Sequence, residues 1–582
     1  MSQPFVDYPF TAARHRAVVP ALRGGLEQRR HPVVVVGGGP VGLCTALGLA
    51  MHDIPVVLLE ADESVCIGSR AICISRRSLE IIDRLGALDG FLKAGLPWTG
   101  GRSYFRDVEV LRFSMPADEN QRLPPMVNLA QYRIEQILLE RAEQLRDRIE
   151  IRWQTRLTAI ETSASGSRLT VATPGLCYAL EADWVVAADG GRSFVRDALG
   201  LALEGTSYEG RYVIVDIRLR SDRPTERLAY FDPPCNPGST VLVHKQPDDV
   251  WRIDYQLREG EDPDEAIRPE NVMPRVASLL DMMGERGAWS PIWIGIYKAN
   301  ALTLPRYRAG RVLLAGDAAH LMPIFGVRGA NSGIDDADNL SWKLAFVVKG
   351  AARETLLDSY SAERVAAAHE NLQHGTKSTE FMAPPSFAFE LMRTAVLSLA
   401  SRHPEVRSLI NPRQTSAVTY VDSPLNAAEG APLLDPGPAP GAVLSECPVT
   451  LVVGGARTQG HTTSLLRAAQ EPGFTALLFA DTPEIPRHLL DLKEALHRRG
   501  VPFAVIPVVR RPVAESVMTY GWDHTGRLFP MYGADSGALY VVRPDGHVLG
   551  RRRDAPAPWA AAAILRALGF STDQLRERHD QR

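Results

Sequence analysis

The chain has 582 residues, 45% of them hydrophobic, and sets 65 lysines and arginines against 68 acids for a formal net charge of -3. Such a length predicts roughly two to four domains, with sequence enough for a large buried interior. The near-even charge balance excludes an electrostatic partnership with nucleic acid or an anionic membrane and points to a small-molecule or protein partner. The cysteines (Cys44, Cys66, Cys73, Cys177, Cys235, Cys447) form no Cys-x-x-Cys pair and no zinc-ligand spacing, so neither a disulfide scaffold nor a metal site is expected, and a reducing cytoplasm is the expected compartment.

The first thirty residues lack the apolar core and cleavage site of a secretory signal and read as an irregular arm. Residues 33–51, VVVVGGGPVGLCTALGLAM, are uncharged for long enough to imitate a membrane span, but the Gly-Gly-Gly-Pro centre would break a lipid-facing helix. The valine run 33–36 predicts a strand, the segment after Pro40 a helix, and IPVVLLE at 54–60 a second strand, which together make a βαβ unit. Helices are predicted over about 75–85 and 131–145, then strands over about 149–173 and an apolar run ending in WVVAADGGRS. From about 210 to 298 the alternation in RYVIVDIRLR, GSTVLVHKQ and VWRIDYQLR predicts one antiparallel sheet. The strand GRVLLAGDAA at 310–319 and a long helix over about 330–348 restore the parallel α/β pattern, so the first domain reads as discontinuous. A helical stretch runs to about 402, APLLDPGPAPGAV at 431–443 reads as a linker, and VTLVVGG, FTALLFAD, VPFAVIPVV and GALYVVRPDGHVLG with a helix near 487–499 outline a separate small α/β domain.

Gly37, Gly39 and Gly42 form Gly-x-Gly-x-x-Gly between a strand and a helix: one glycine for the tight turn, one for close backbone approach to a pyrophosphate, one for helix-sheet packing. Glu60, at the end of the second strand, is placed to accept hydrogen bonds from an adenosine ribose, and together these features predict dinucleotide binding. Asp189 in AADGGRSFVR reads equally as an ordinary Asp-Gly turn, and Asp317 in AGDAAH as a helix cap with His320 an ordinary surface histidine.

With these three segments in order, the chain resembles the single-component FAD-dependent aromatic hydroxylases, the para-hydroxybenzoate and phenol hydroxylase class, along nearly its whole length. The resemblance rests on VVVVGGGPVG with Glu60, SRAICISRRSLEIIDRLG with Arg70, LAQYRIEQILLERA with Gln131, AADGGRSFVR, GDAAHLMP, GANSGIDDADNLSWKLA, LLDSYSAERVAAA and, near the C-terminus, YGADSGALYVVRPDG. It implies an α/β fold with a discontinuous Rossmann-like FAD domain (31–205 and 310–430, the latter including helices), an antiparallel β-sheet substrate domain (206–309) and a thioredoxin-like α/β domain (444–582). That last domain follows the 431–443 linker. It lacks Cys-x-x-Cys, so a structural or homo-oligomer-contact role is expected of it rather than disulfide chemistry.

The resemblance further implies that Arg70 reaches the FAD pyrophosphate, Gln131 touches the ribityl chain or flavin, Asp317 accepts from the ribityl hydroxyls, and Asp189 binds FAD or the nicotinamide cofactor. Pro323 would sit beside the reactive edge of the ring, and the helix start at Gly329, Ala330 and Asn331 would aim its positive end at the flavin. Many relatives have Pro-Pro and then Gly-Gln-Gly where this chain has Pro323, Ile324 and then Val327, Arg328, Gly329. Arg328 thus either selects an anionic substrate or faces solvent. Some phenol hydroxylases carry an acid after the pyrophosphate arginine, but Ala71, Ile72 and Cys73 follow Arg70 here.

The implied reaction is hydroxylation of a phenolic ring with NADH or NADPH and O2 through a flavin C4a-hydroperoxide, aided by a group that favours phenolate. Tyr230, His244, Arg252, Asp254 and Tyr255 are candidate substrate residues in the sheet; alternation puts Arg252 and Asp254 on one face and Tyr255 on the other, and they read equally as ordinary sheet residues. The same scaffold also serves epoxidation, oxidation, dehydrogenation and halogenation, SPIWIGIYKAN being only a superficial echo of a halogenase motif, and a non-catalytic FAD-binding protein is a further alternative.

Overall fold

The computed structural model describes residues 5, 8–116, 118–258, 260–323, 325–410, 416–430, 433–454, 459–469, 472–513 and 516–570. The predicted βαβ unit is present as β1 (Leu26–Val36), α1 (Pro40–Met51) and β2 (Val56–Leu59), with the two strands parallel from Val33↔Val56 to Val36↔Leu59. Strand β1 begins earlier than the valine run. Glu27, which falls in the segment expected to be an irregular arm, and His31 just after it are buried because Arg152 donates to both Glu27 oxygens (2.7 and 2.8 Å) and His31 bonds the same carboxylate (2.9 Å). Three polar groups that satisfy one another can enter a sheet that none could enter alone.

After β2 come a short strand β3 (Cys73–Ser75), helix α2 (Arg76–Arg84), capped by the Ser75 hydroxyl, and helix α3 (Gln131–Glu143). Strand β4 (Cys177–Ala187) runs parallel to β1 and, at 185–187, parallel to a strand from far downstream, so the first sheet is closed by residues on both sides of an insertion.

The insertion is an eight-stranded sheet containing β5 (Glu204–Leu219), β6 (Arg227–Phe231), β7 (Thr240–Lys245), β8 (Val250–Gln256) and β9 (Trp289–Thr303), with helix α4 (Pro269–Met283) between β8 and β9. It is wider than the segment 206–309. Gly100–Phe105 pairs in parallel with β6 and carries Val108–Ser114 beyond it, and His320–Leu321 closes the other edge. These additions cover edges that would otherwise expose unpaired backbone groups. One face of the sheet packs Val213, Val215, Tyr230, Ile253 and Tyr255 against Val272, Val276 and Leu279 of α4. The other, inner face turns toward β3 and the loop before it.

The chain then returns through β10 (Val312–Leu314), pairing with β4, to helix α5 (Gly329–Val348) and the long helix α6 (Leu356–Met382). Helices α1 and α5 cross closely at Gly48, where an added Cβ would lie 2.5 Å from the Ser341 hydroxyl. A third, seven-stranded sheet is built from residues 448–552, with Phe474–Ala480 parallel to Phe503–Val509, and the predicted helix spans Arg487–Arg498. Its core is continuous with α5: Trp342 and Phe346 pack with Phe474, Leu539, Leu549 and Ile564. Arg543 donates to both oxygens of Glu363 on α6 (2.7 and 3.0 Å), Lys343 adds a third bond (2.7 Å), and Trp342 donates to Asp545 (3.0 Å), all fully buried.

The Pro/Gly-rich stretch expected to be a linker is packed where it is described, with Leu434, Gly437 and Gly441 buried and the Leu434 and Gly437 carbonyls accepting from Arg551; residues 431 and 432 lie outside the described residues. Among the described residues no helix is long and apolar enough to cross a membrane; residues 33–51 supply the end of β1 and α1.

Candidate active site

The turn from β1 into α1 is shaped by its glycines. Gly37 has φ +105, and an added Cβ would lie 2.4 Å from the Ala188 carbonyl oxygen; at Gly42 it would lie 1.9 Å from the Gly37 carbonyl oxygen. Only glycine can occupy either position. A Cβ on Gly39 meets nothing within 4 Å, so the mouth of the turn is open in front of the first N–H groups of α1, where an anion is favoured. Glu60 accepts from the Gly38 N–H (2.6 Å) and the Asp62 N–H (2.8 Å), which fixes its carboxylate at that mouth with lone pairs to spare. Burial pushes its pKa up.

Arg70 is exposed, and its backbone is held from two sides. Gln131 accepts from the N–H groups of Arg70 and Ala71 (3.3 Å each) and donates to Glu135 (2.9 Å), so its side chain is engaged in shaping this loop rather than reaching outward. Arg252 on β8 donates to the Ser69 and Arg70 carbonyls while forming a two-point ion pair with Asp216 on β5 (2.9 and 2.8 Å). Arg252 therefore ties the sheet to the Arg70 loop.

Asp317 projects from a 3-10 turn at the end of β10, and among the described residues it accepts no hydrogen bond. Protein surrounds its base while its surface is exposed, and burial raises its carboxyl pKa, opposed by the charges of His320 and Arg70. Asp189 behaves differently: its oxygens accept from the Ser193 hydroxyl (2.5 Å) and the Val195 N–H (3.0 Å), capping the short helix Phe194–Ala198. The turn reading describes its side chain better than a cofactor ligand does. His320 is not a surface residue. It is fully buried and bonded to Asp336 (2.7 Å), which also accepts from the Gly316 N–H and from Arg364.

Helix α5 begins with the N–H groups of Gly329, Ala330 and Asn331 lacking intrahelical acceptors, a positive terminus beside β3. The Asn331 side chain is fully committed to protein: it donates to the Cys73 and Val327 carbonyls and accepts from the Ser75 N–H and the Ser78 hydroxyl. Any contact it makes with a ligand is through its backbone. Pro323 is buried against α6, where a Cβ on Gly375 would lie 3.1 Å from its ring; Ile324 lies outside the described residues. Arg328 does not face solvent. It is 3% exposed, donates to Asn371 on α6 (2.6 Å), and lines a cleft of about 830 Å³ with Arg76, Phe113, Met126 and His374. Neither Arg70 nor Asp317 nor the polar residues of the sheet line that cleft.

On the inner face of the sheet, register aligns Arg227, His244, Arg252 and Asp216 across four neighbouring strands, and Asp254 lies in the next row between Leu242 and Ile214. Tyr230 and Tyr255 point the other way, into the α4 core, so as substrate candidates they are corrected by the alternation of the pleat. Burial pushes Asp254 up to about 7, with Arg252 and Arg227 opposing, and pushes His244 down to about 3. Asp216 and Arg227 escaped the sequence reading because their significance depends on which residues they face across the sheet. The alternation of β5 and β6 was the available signal.

Residues 30–374, more than half of the chain, match the family described as FAD binding domain. The chain belongs to that family. Its glycine turn, its exposed Arg70 and the unpartnered Asp317 carboxylate are a donor and acceptor set that fits FAD. The chain is 28% identical to the 3-(3-hydroxy-phenyl)propionate/3-hydroxycinnamic acid hydroxylase of Mycolicibacterium smegmatis over 92% of each chain. It is 27% identical to the protein of the same name from Escherichia coli (strain K12), over 97% of this chain and 96% of that one. Among solved structures, the flavin-dependent monooxygenase PieE in complex with FAD and substrate aligns with a TM-score of 0.74 at 22% identity over 93% of this chain and 99% of the other. Aklavinone-11 hydroxylase with FAD and aklavinone aligns with 0.72 at 23% over 93% and 100%.

Proposed function

We propose that the protein hydroxylates a phenolic substrate using NADH or NADPH and O2, with the phenol facing the inner row of the β-sheet. The observation that carries this reading is Asp254: a buried carboxyl, without a hydrogen-bond partner among the described residues, whose proton equilibrium lies near neutrality. Such a group can take the phenolic proton and return it, and deprotonation enriches the ring in electrons. It supplies here what the missing acid after Arg70 supplies in some phenol hydroxylases.

FAD, when bound, supplies hydride acceptance from the nicotinamide cofactor and transfer of one oxygen atom of O2 to the ring. The glycine turn and Glu60 would hold its adenosine half, Arg70 its pyrophosphate and Asp317 its ribityl hydroxyls. Gln131, and Arg252 with Asp216, act one step back by fixing the Arg70 loop. The first turn of α5 offers positive potential to an anionic flavin. Leu242, Ala229, Phe231 and Tyr212 add an apolar stretch to the inner face, which helps exclude water from the reacting groups. We read the division into FAD-binding segments 31–205 and 310–430 around a substrate unit as the functional one. The C-terminal unit reads as thioredoxin-like, with the structural role of bracing α5.

The test is to supply the FAD-loaded protein with 3-hydroxyphenylpropionate, the phenol class named for its relatives, under 18O2. Substrate-stimulated NAD(P)H oxidation with labelled oxygen in the ring is expected. Unlabelled product, or no acceleration of flavin reduction by any phenol, would remove the hydroxylase reading.

A further inference from the structure

Arg227 sits on β6 in the inner row, 3% exposed, and among the described residues no side chain or carbonyl lies in a hydrogen bond or ion pair with it. Arg252, two strands away in the same row, is by contrast saturated by Asp216 and two carbonyls. Arg227 and Asp254 compensate each other only in part: each charge favours the other, but burial outweighs it and shifts the arginine down to about 10 and the acid up, each toward its neutral form. A true ion pair would shift both toward charge.

Two further polar groups beside Arg227 are also left without partners. His244 is its direct cross-strand neighbour, and the buried Nδ1 has no hydrogen bond among the described residues. Gln246, two residues further and therefore on the same face, is 3% exposed, and both its amide atoms lack partners among the described residues. Buried polar groups are nearly always satisfied in native proteins, and an unpaired buried charge is the most costly exception. Three adjacent ones, a guanidinium, an imidazole and a carboxamide, match the planar acceptor geometry of a carboxylate.

We propose that Arg227, with His244 and Gln246, is the seat for a carboxylate carried by the phenolic substrate, leaving the hydroxyl end to Asp254. This rests on the hydroxylase reading above for the phenol, but not for the anion. Two strand spacings and two residue rises put the Arg227 and Asp254 Cα atoms about 12 Å apart. The span suits an aromatic ring bearing an acid side chain, with the arginine taking up most of the reach. A bare phenol would leave the seat empty.

The experiment measures binding to the FAD-loaded protein through perturbation of the flavin absorbance, without turnover. The probes are 3-(3-hydroxyphenyl)propionate, its primary amide, and 3-phenylpropionate, which lacks the hydroxyl. The wild type is expected to bind each acid at least about tenfold more tightly than the amide. Arg227→Met is expected to weaken both acids on the order of 100-fold while changing the amide less than about threefold, and Arg227→Lys to recover part of the loss. Because Arg227 is unpaired, the methionine variant should melt no lower than the wild type in the absence of ligand.

Equal binding of acid and amide by the wild type would overturn the carboxylate seat, even if both were hydroxylated and even if no variant folded. Equal loss for acid and amide in Arg227→Met would overturn it too. Acid preference that disappears in Arg227→Met, in a protein that hydroxylates neither phenol, would instead sink the hydroxylase reading and leave the seat standing.

Discussion

Replacing Asp254 by asparagine tests the site through both stability and rate. The side chain is buried, 6% exposed, and burial carries its carboxyl from an ordinary 3.8 to about 7. That displacement corresponds to about 4 kcal/mol at 1.36 kcal/mol per tenfold. The folded state binds the proton more tightly than the unfolded chain does, so stability is complete below about pH 4, falls as pH rises toward about 7, and stays reduced above it. Asparagine is neutral throughout and escapes that fall. The variant is therefore expected to match the wild type at about pH 4 and to exceed it by up to about 4 kcal/mol at about pH 8 in denaturant unfolding of the ligand-free protein. Its kcat/KM for a phenol should drop roughly 100-fold or more, and the rise in rate through pH 7 that Asp254 gives the wild type should vanish. Parallel stability profiles for the two proteins, or a variant that keeps both the rate and its pH limb, would refute Asp254 as the ionising group.

Asp317→Ala removes an unpartnered acceptor at a strand end, so FAD affinity is expected to fall about tenfold or more with little change in melting; unchanged affinity by flavin titration would remove the ribityl role. Arg543→Ala leaves Glu363 and Asp545 buried with less compensation and is expected to cost about 3 to 5 kcal/mol, read by thermal unfolding. If the C-terminal unit braces α5, the same variant should also weaken FAD retention; retention at wild-type strength would argue against bracing. Val327 holds a β-branched side chain at φ +60, so Val327→Gly should relieve backbone strain and gain about 1 kcal/mol, measured by denaturant midpoint; a loss instead would show that the side chain packing beside β3 outweighs the strain.

What the sequence determined by itself was the set of features that local backbone rules govern. The glycine spacing at 37, 39 and 42, the acid at 60, the helix starts at 76, 131 and 329, and the opposite faces of Asp254 and Tyr255 each follow from steric or periodic constraints spanning a few residues. The same rules could not say which face of the sheet is inward, because either face can be buried until the sheet meets α4 on one side and the Arg70 loop on the other. Nor could they show that Glu27 and His31 enter the sheet, that Asn331 is spent on β3 and α2, that His320 is sealed against Asp336, or that Arg328 turns toward Asn371. Each outcome is decided by a partner distant in sequence whose hydrogen bond or charge makes burial tolerable. Arg227 is the complementary case. Its importance lies in the partners it lacks among the described residues, and only the assembled tertiary structure reveals a charge left for something else to satisfy.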